Sequence, residues 1–328
     1  MLCFGGDFMK KFQSTLIMIM LLFIGYKILS DSKSVINSVI LSLNIFKNNI
    51  FPSLFPFFVL SSLLIKYGLP EFMSNIFQGL MGRLFKISGK CSFIFFMSIL
   101  SGNPACAKYT RDLYLNGDIN IYEATKILCF SSFTSPLFIL GSVSILLNDY
   151  NVSLLILMCH YLGNFVVGYL IRGYHPSKMV NKGSFKLAFN EMHIKRISNK
   201  ESFGTIITNS LIDSINTLLL ILGVISVCLI ITTIISNNLK LNSTFQSLLN
   251  GFIEMTQGVN YISLEDISLK LKSTLMVMII SFGGLSVHMQ VMGVLSDTNI
   301  RYFPFFVSRV LASIISSLSL FFLFDYFI

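Results

Sequence analysis

Apolar runs at or near bilayer-crossing length recur along this chain, and each is almost free of charge. They lie at 15–29, 51–65, 121–147, 152–171, 206–235, 271–295 and 302–324. A spanning helix needs about 20 mostly apolar residues, so 15–29 is slightly short. Backbone at that depth must also satisfy its own hydrogen bonds. Together these requirements leave a bundle of helices as the fold. Composition agrees: 54% of the 328 residues are hydrophobic and 12% are charged, about half the charged share of a soluble domain. Mean hydropathy is +0.75. The expected class is an all-α, polytopic helical membrane protein. The net charge of +9 then reads as the excess of Lys and Arg on cytoplasmic loops, with a lipid bilayer and no nucleic acid as partner.

Breaks inside the runs carry the rest of the argument. Ser101-Gly102-Asn103-Pro104-Ala105-Cys106-Ala107-Lys108 separates two apolar arms. Proline lacks an N–H and clashes with the preceding turn, yet it suits the first turn of a new helix. The stretch predicts two half-helices joined by a polar tip at membrane depth. Such non-helical backbone is tolerated where it is buried in protein or lines a watery cavity, and transporters place substrates there. Thr134-Ser135-Pro136 interrupts 121–147 midway. This is either an ordinary kink or a broken helix whose freed carbonyl and hydroxyls face a solute. A second glycine break, Phe282-Gly283-Gly284-Leu285, divides 271–295.

The order of elements repeats. Gly102 aligns with Gly283, and Asp118-Ile119-Asn120 with Asp297-Thr298-Asn299. Lys10-Lys11 precedes an apolar run that resembles a signal peptide, but no small-residue cleavage site follows, so an uncleaved anchor is expected. With that end inside, the loop 172–204, rich in Lys and Arg, also falls inside. The glycine-broken segments become two re-entrant hairpins entering from opposite faces, and the last span returns inward. The expected fold is therefore an inverted repeat with a Pro-broken helix. Its units are an anchor and interfacial helix (1–50), a first repeat (51–171), the basic cytoplasmic loop (172–204) and a second repeat (205–328). Residues 35–46 read as an interfacial amphipathic helix, and 69–85 as a surface helix.

Ionisable and polar residues within such spans are site candidates. Lys108, one turn past the first tip, is the first choice for binding a carboxylate; alternatively it snorkels to the interface. Ser101 and Asn103 either donate to substrate oxygens or satisfy the freed backbone. Gly102, Gly283 and Gly284 permit close backbone approach. Ser286, His288 and Gln290 follow the second break; 286 and 290 share a helix face. His288 reads as a proton carrier or as a structural donor. Glu254 and Thr256 place a carboxylate and a hydroxyl in the apolar patch before that break, as a coupling-ion or proton site or as an interfacial acid. Asp213 and Arg309 are expected to pair across spans, because buried charges usually must. The six Cys form no CxxC and read as apolar filler. No metal spacing, HExxH, nucleotide loop or GxSxG occurs, so no metal, cofactor or enzyme activity is expected.

The Ser-Gly-x-Pro-x-x-Ala-Lys motif at 101–108, FTSPLFILGSV at 133–143, EMTQG at 254–258 and FGGLSVHMQ at 282–290 together resemble the YlbJ-type sporulation integral membrane proteins. That family lies within the "nucleoside recognition" gate group, distantly like the concentrative nucleoside transporters. Where the family reads Ser-Asn-Pro at the kink, this chain has Thr134-Ser135-Pro136. The resemblance implies a transporter or facilitator for a small anionic solute in sporulation. Dipicolinic acid would be its cargo, moved from the mother cell across the outer forespore membrane. Two alternatives stay open: a nucleoside transporter of the same fold, read through Asn103, Thr134 and Ser135, or a membrane scaffold for spore cortex or coat assembly. Implied partners are the solute, the bilayer, further copies of the chain and other sporulation membrane proteins.

Overall fold

A computed structural model describes residues 4–177, 184–238 and 242–328, with side chains in the first helix from residue 14 onward. The described residues are mostly helical, with no strand among them. Five helical stretches among them are long and apolar enough to cross a membrane: Ser32–Lys66, Tyr150–Gly173, Phe203–Asn238, Leu269–Val294 and Tyr302–Phe327. The protein is an integral membrane protein.

Helix α1 (Phe4–Ser30) leads into α2 (Ser32–Ile45), which continues through a π-helical turn (Phe46–Ile50) into α3 (Phe51–Lys66). Residues 35–46 therefore form not a separate helix but the first part of one long rod, Ser32–Lys66. Ser38 and Ser42, four residues apart, face another helix rather than water. Each bonds a hydroxyl of α11 (introduced below), Ser38 to Thr233 at 2.7 Å and Ser42 to Ser226 at 2.7 Å. Helix α4 (Leu69–Leu84) follows, and then a hairpin: α5 (Cys91–Ser101) and α6 (Ala105–Leu115). The Tyr109 hydroxyl donates to Ser101 Oγ at 3.0 Å and ties its two arms.

Helix α7 (Ile121–Phe130) starts on a capping box, in which Asn120 Oδ1 accepts from the Glu123 amide and Glu123 Oε2 from the Asn120 amide. It stops at residues 131–135, which are non-helical. The chain resumes after Pro136 as a π-helical segment (Leu137–Val143) and α8 (Ser144–Leu147). Helix α9 (Tyr150–Leu170) is capped by Asp149. Helix α10 (Phe185–Ser198) lies against α4, and α11 (Phe203–Asn238) runs 36 residues, about 54 Å at 1.5 Å per residue.

The second half departs from expectation at the glycine break. Helices α12 (Ser243–Ile253) and α13 (Met255–Leu264) fold back on each other around Glu254. A Cβ on Gly258 would lie 2.0 Å from Gly251 Cα, so only glycine allows the arms to approach this closely. Helices α14 (Leu269–Phe282) and α15 (Gly284–Val294) do not fold back: α14 packs on α9, α13 and α16, α15 on α11 and α12. The second fold-back is thus at Glu254, not Gly283, and Gly283 interrupts Leu269–Val294, a stretch long and apolar enough to cross a membrane, as 131–135 interrupts 121–147. Gly102 and Gly283 are not equivalent positions.

A crossing there reverses the last helix, α16 (Tyr302–Phe327). At its start, the Arg301 guanidinium donates to the Tyr174 hydroxyl at 3.1 Å, beside the end of α9. At its far end, Asp325 accepts from Lys270 at 2.5 Å, at the start of α14. Arg111 Nε donates to Asp297 at 2.8 Å and closes the loop between α15 and α16 onto α6. Helix α16 therefore runs away from the basic side, not towards it. Each half reads hairpin, broken helix, unbroken helix, and α9 and α16 run in opposite senses. Those two pack through small residues: a Cβ on Gly163 would meet Ser316 Oγ at 2.1 Å.

Candidate solute cavity

Both hairpin tips and both helix breaks meet around a cavity of about 400 Å³. The first tip supplies Ser101, Asn103 and Pro104, and the first break Thr134 and Ser135. The second tip supplies Glu254 and Thr256, and the turn after Gly283 supplies Ser286 and Gln290. Glycine sets the contacts between tips and breaks. Gly102 has φ +81° and ψ −165°, a region essentially reserved for glycine, and a Cβ there would lie 2.4 Å from the Ser135 amide nitrogen. Gly284, with φ +66°, lies so close to the second tip that a Cβ would sit 3.0 Å from the Met255 amide nitrogen.

The lining is amide- and hydroxyl-rich. Asn103 Nδ2 donates to the Ser132 carbonyl at 3.2 Å, while its buried Oδ1 has no partner. Ser101 Oγ donates to the Met97 carbonyl at 2.8 Å. Thr134 Oγ1 donates to the Ile280 carbonyl at 3.4 Å. Glu254, 3% exposed, accepts from the Gln257 amide at 2.8 Å and so caps α13. It is the lining's one ionisable side chain, and no Lys or Arg faces the space among the described residues. Positive potential comes from backbone instead. α6, the segment after Pro136, α13 and α15 all begin at this cavity, and helix N-termini present free N–H groups. No cluster of three His, Cys, Asp or Glu occurs among the described residues, and Glu254 is the one carboxylate in the lining.

Four expected side chains lie elsewhere. Lys108, 2% exposed, donates to Asp112 at 2.7 Å and to Ser62 at 3.0 Å and does not reach the cavity. A carboxylate one turn along the same helix face claims it first. His288 bonds the Phe282 carbonyl at 3.2 Å and Tyr302 at 2.9 Å, behind the lining. Asp213 and Arg309 do not pair. Asp213 is exposed on α11 and lines a different recess beside Arg111. Arg309 is buried and donates to the Ser132 carbonyl at 3.0 Å, to Asn164 at 2.8 Å and to the Cys129 carbonyl. The broken end of α7 leaves carbonyls in need of donors, and the guanidinium supplies them in place of a carboxylate's attraction. The cavity also takes in Asn48, Asn49, Ser53 and Ser142. The Asn pair was the available signal: two amides between apolar segments just before Pro52.

This geometry defines a class: a polytopic helical membrane protein with a polar cavity enclosed by broken helices. The gate family described as nucleoside recognition matches residues 49–150, which hold the first hairpin and the first break. The chain is 31% identical to the sporulation integral membrane protein YlbJ of Bacillus subtilis (strain 168), over 93% of this chain and 81% of that protein. It belongs to the YlbJ family. No solved structure matches it significantly.

Proposed function

We propose that this protein carries a small organic anion across a membrane during sporulation, with dipicolinate as the cargo that the family resemblance suggests. The observation behind this reading is the polar cavity on which four half-helix N-termini converge; that of α13 is capped by Glu254, and the other three suit a carboxylate without a cationic side chain. Its volume lies in the range of small-molecule sites, about 300–1,000 Å³. Asn103, Ser101, Thr134, Ser135, Thr256, Ser286 and Gln290 bind the solute. Glu254 holds the coupling proton or cation that offsets the cargo's charge. The halves act as an inverted repeat, with the hairpins opening in turn to either side. The basic loop at 172–204 and the N-terminus face the cytoplasm, and the membrane is the outer forespore membrane.

A second reading, a nucleoside cargo, draws on the absence of Lys and Arg from the lining and on its amides and hydroxyls, which suit a neutral sugar and base. Uptake into proteoliposomes separates the two. Labelled dipicolinate entering, with loss in Asn103→Ala and no competition by uridine, supports the first reading. Uridine competition supports the second. No uptake of either by correctly inserted protein defeats both.

A further inference from the structure

We propose that His160 and His288 are positioning residues, held neutral in opposite tautomers, each clamping the exposed backbone of one helix break. The inference rests on the cavity reading, because what it explains is how the cavity walls keep their shape. A broken helix leaves amides and carbonyls without partners, and at membrane depth water cannot supply them. At the first break the Thr134 amide donates to His160 Nε2 at 2.9 Å. An amide N–H can only donate, so Nε2 carries its lone pair. The ring proton is then on Nδ1, which donates to Ser281 Oγ at 2.9 Å.

At the second break the logic inverts. The Phe282 carbonyl, one residue before Gly283, lies 3.2 Å from His288 Nε2. A carbonyl can only accept, so here Nε2 carries the proton. His288 Nδ1 is left to accept from the Tyr302 hydroxyl at 2.9 Å. Both rings are buried and neither lines the cavity. An imidazolium would have no lone pair for Thr134, so the His160 clamp works only in the neutral form; at His288, where the Tyr302 hydroxyl could turn to accept, it is burial that disfavours the charged ring.

His160 does more than clamp one wall. Through Thr134 and Ser281 it joins the first break to the residue before Phe282, and the Thr134 hydroxyl reaches the Ile280 carbonyl alongside it. Asn164 donates to the His160 carbonyl at 2.9 Å and accepts from Arg309, which also holds the α7 carbonyls. The two broken helices are thereby tied into one body.

Nitrogen NMR of full-length, histidine-labelled protein in lipid nanodiscs tests this without any cargo. The chain has four His; His175 and His193 lie outside the spans. The expected spectrum holds one Nδ1–H and one Nε2–H pattern that persist across about pH 5–8. The first pattern vanishes in His160→Gln and the second in His288→Gln. Identical tautomers, or an imidazolium at either site, overturn the proposal. As a second arm, Ser135→Cys should react about fivefold faster with a water-soluble thiol reagent when His160 is Leu, as one hydrogen bond is lost. An unchanged rate overturns the positioning role. Failure of either arm is distinct from failure of transport, which neither arm measures.

Discussion

Gly102→Ala is the most informative single change at the first tip. Two costs combine there. The backbone sits at φ +81° and ψ −165°, where a residue with a Cβ is strained by about 1–3 kcal/mol. The added methyl also falls 2.4 Å from the Ser135 nitrogen and 2.8 Å from its Cα, so the first break must move. Overpacking of that kind costs about 1–3 kcal/mol. The sum, about 2–6 kcal/mol, is a large share of a typical stability of about 5–15 kcal/mol. The assay is thermal unfolding in detergent micelles, with Gly79→Ala as control. Gly79 lies within α4 with nothing near its Cβ position, and alanine there is neutral or slightly stabilising. Gly102→Ala should melt well below wild type and Gly79→Ala should not. If Gly102→Ala melts with wild type, the tip does not rest on the break as described.

Lys108→Met should leave solute affinity within about twofold while lowering stability, since Asp112 loses its nearer cation and keeps only Arg111 at 3.5 Å; a loss of about tenfold, or 1.4 kcal/mol, would place the ammonium in the cavity after all. Glu254→Ala should cost about 1 kcal/mol through the lost α13 cap. Glu254→Gln, which keeps an acceptor oxygen, should restore that stability while removing the charge and any coupling to pH. Glu265 lies between α13 and α14, and the hydroxyls of Ser247, Thr244 and Ser243 hold its carboxyl below the usual carboxylate range. Its contribution is therefore fully present above about pH 4.3, the unfolded value, and is lost as pH falls through the lower folded value. Acid melting curves of Glu265→Gln should be flatter than wild type over that window, and parallel curves would show the hydroxyl cluster to be inert.

The breaks at 101–104 and 134–136 and the patch at 254–256 were readable because glycine, proline and a lone carboxylate are conspicuous in apolar sequence. Which break is a hairpin and which a kinked crossing was not. Gly283 looks like a tip by composition, but fold-back depends on whether the arms can touch, and it is Gly251 and Gly258 that allow contact. That single exchange also reversed α16. Lys108 misled because a nearby cation is attractive in principle, while its engagement by Asp112 and Ser62 depends on rotamers and on a second helix. The serines of α2 look water-facing by periodicity and face α11 instead. Arg309 is buried, as a cation in an apolar run suggests, but two of its partners are carbonyls exposed by the α7 break, which appear in no side-chain pattern.

Transport through this cavity requires the two tips to share one wet space. Single cysteines at Asn103 and at Thr256, in protein otherwise free of cysteine, test this through their rates of reaction with a small water-soluble thiol reagent. Both should react, and saturating dipicolinate, or uridine if the second reading holds, should slow both together. Cysteines that stay inert, or that react at rates indifferent to either solute, would contradict it.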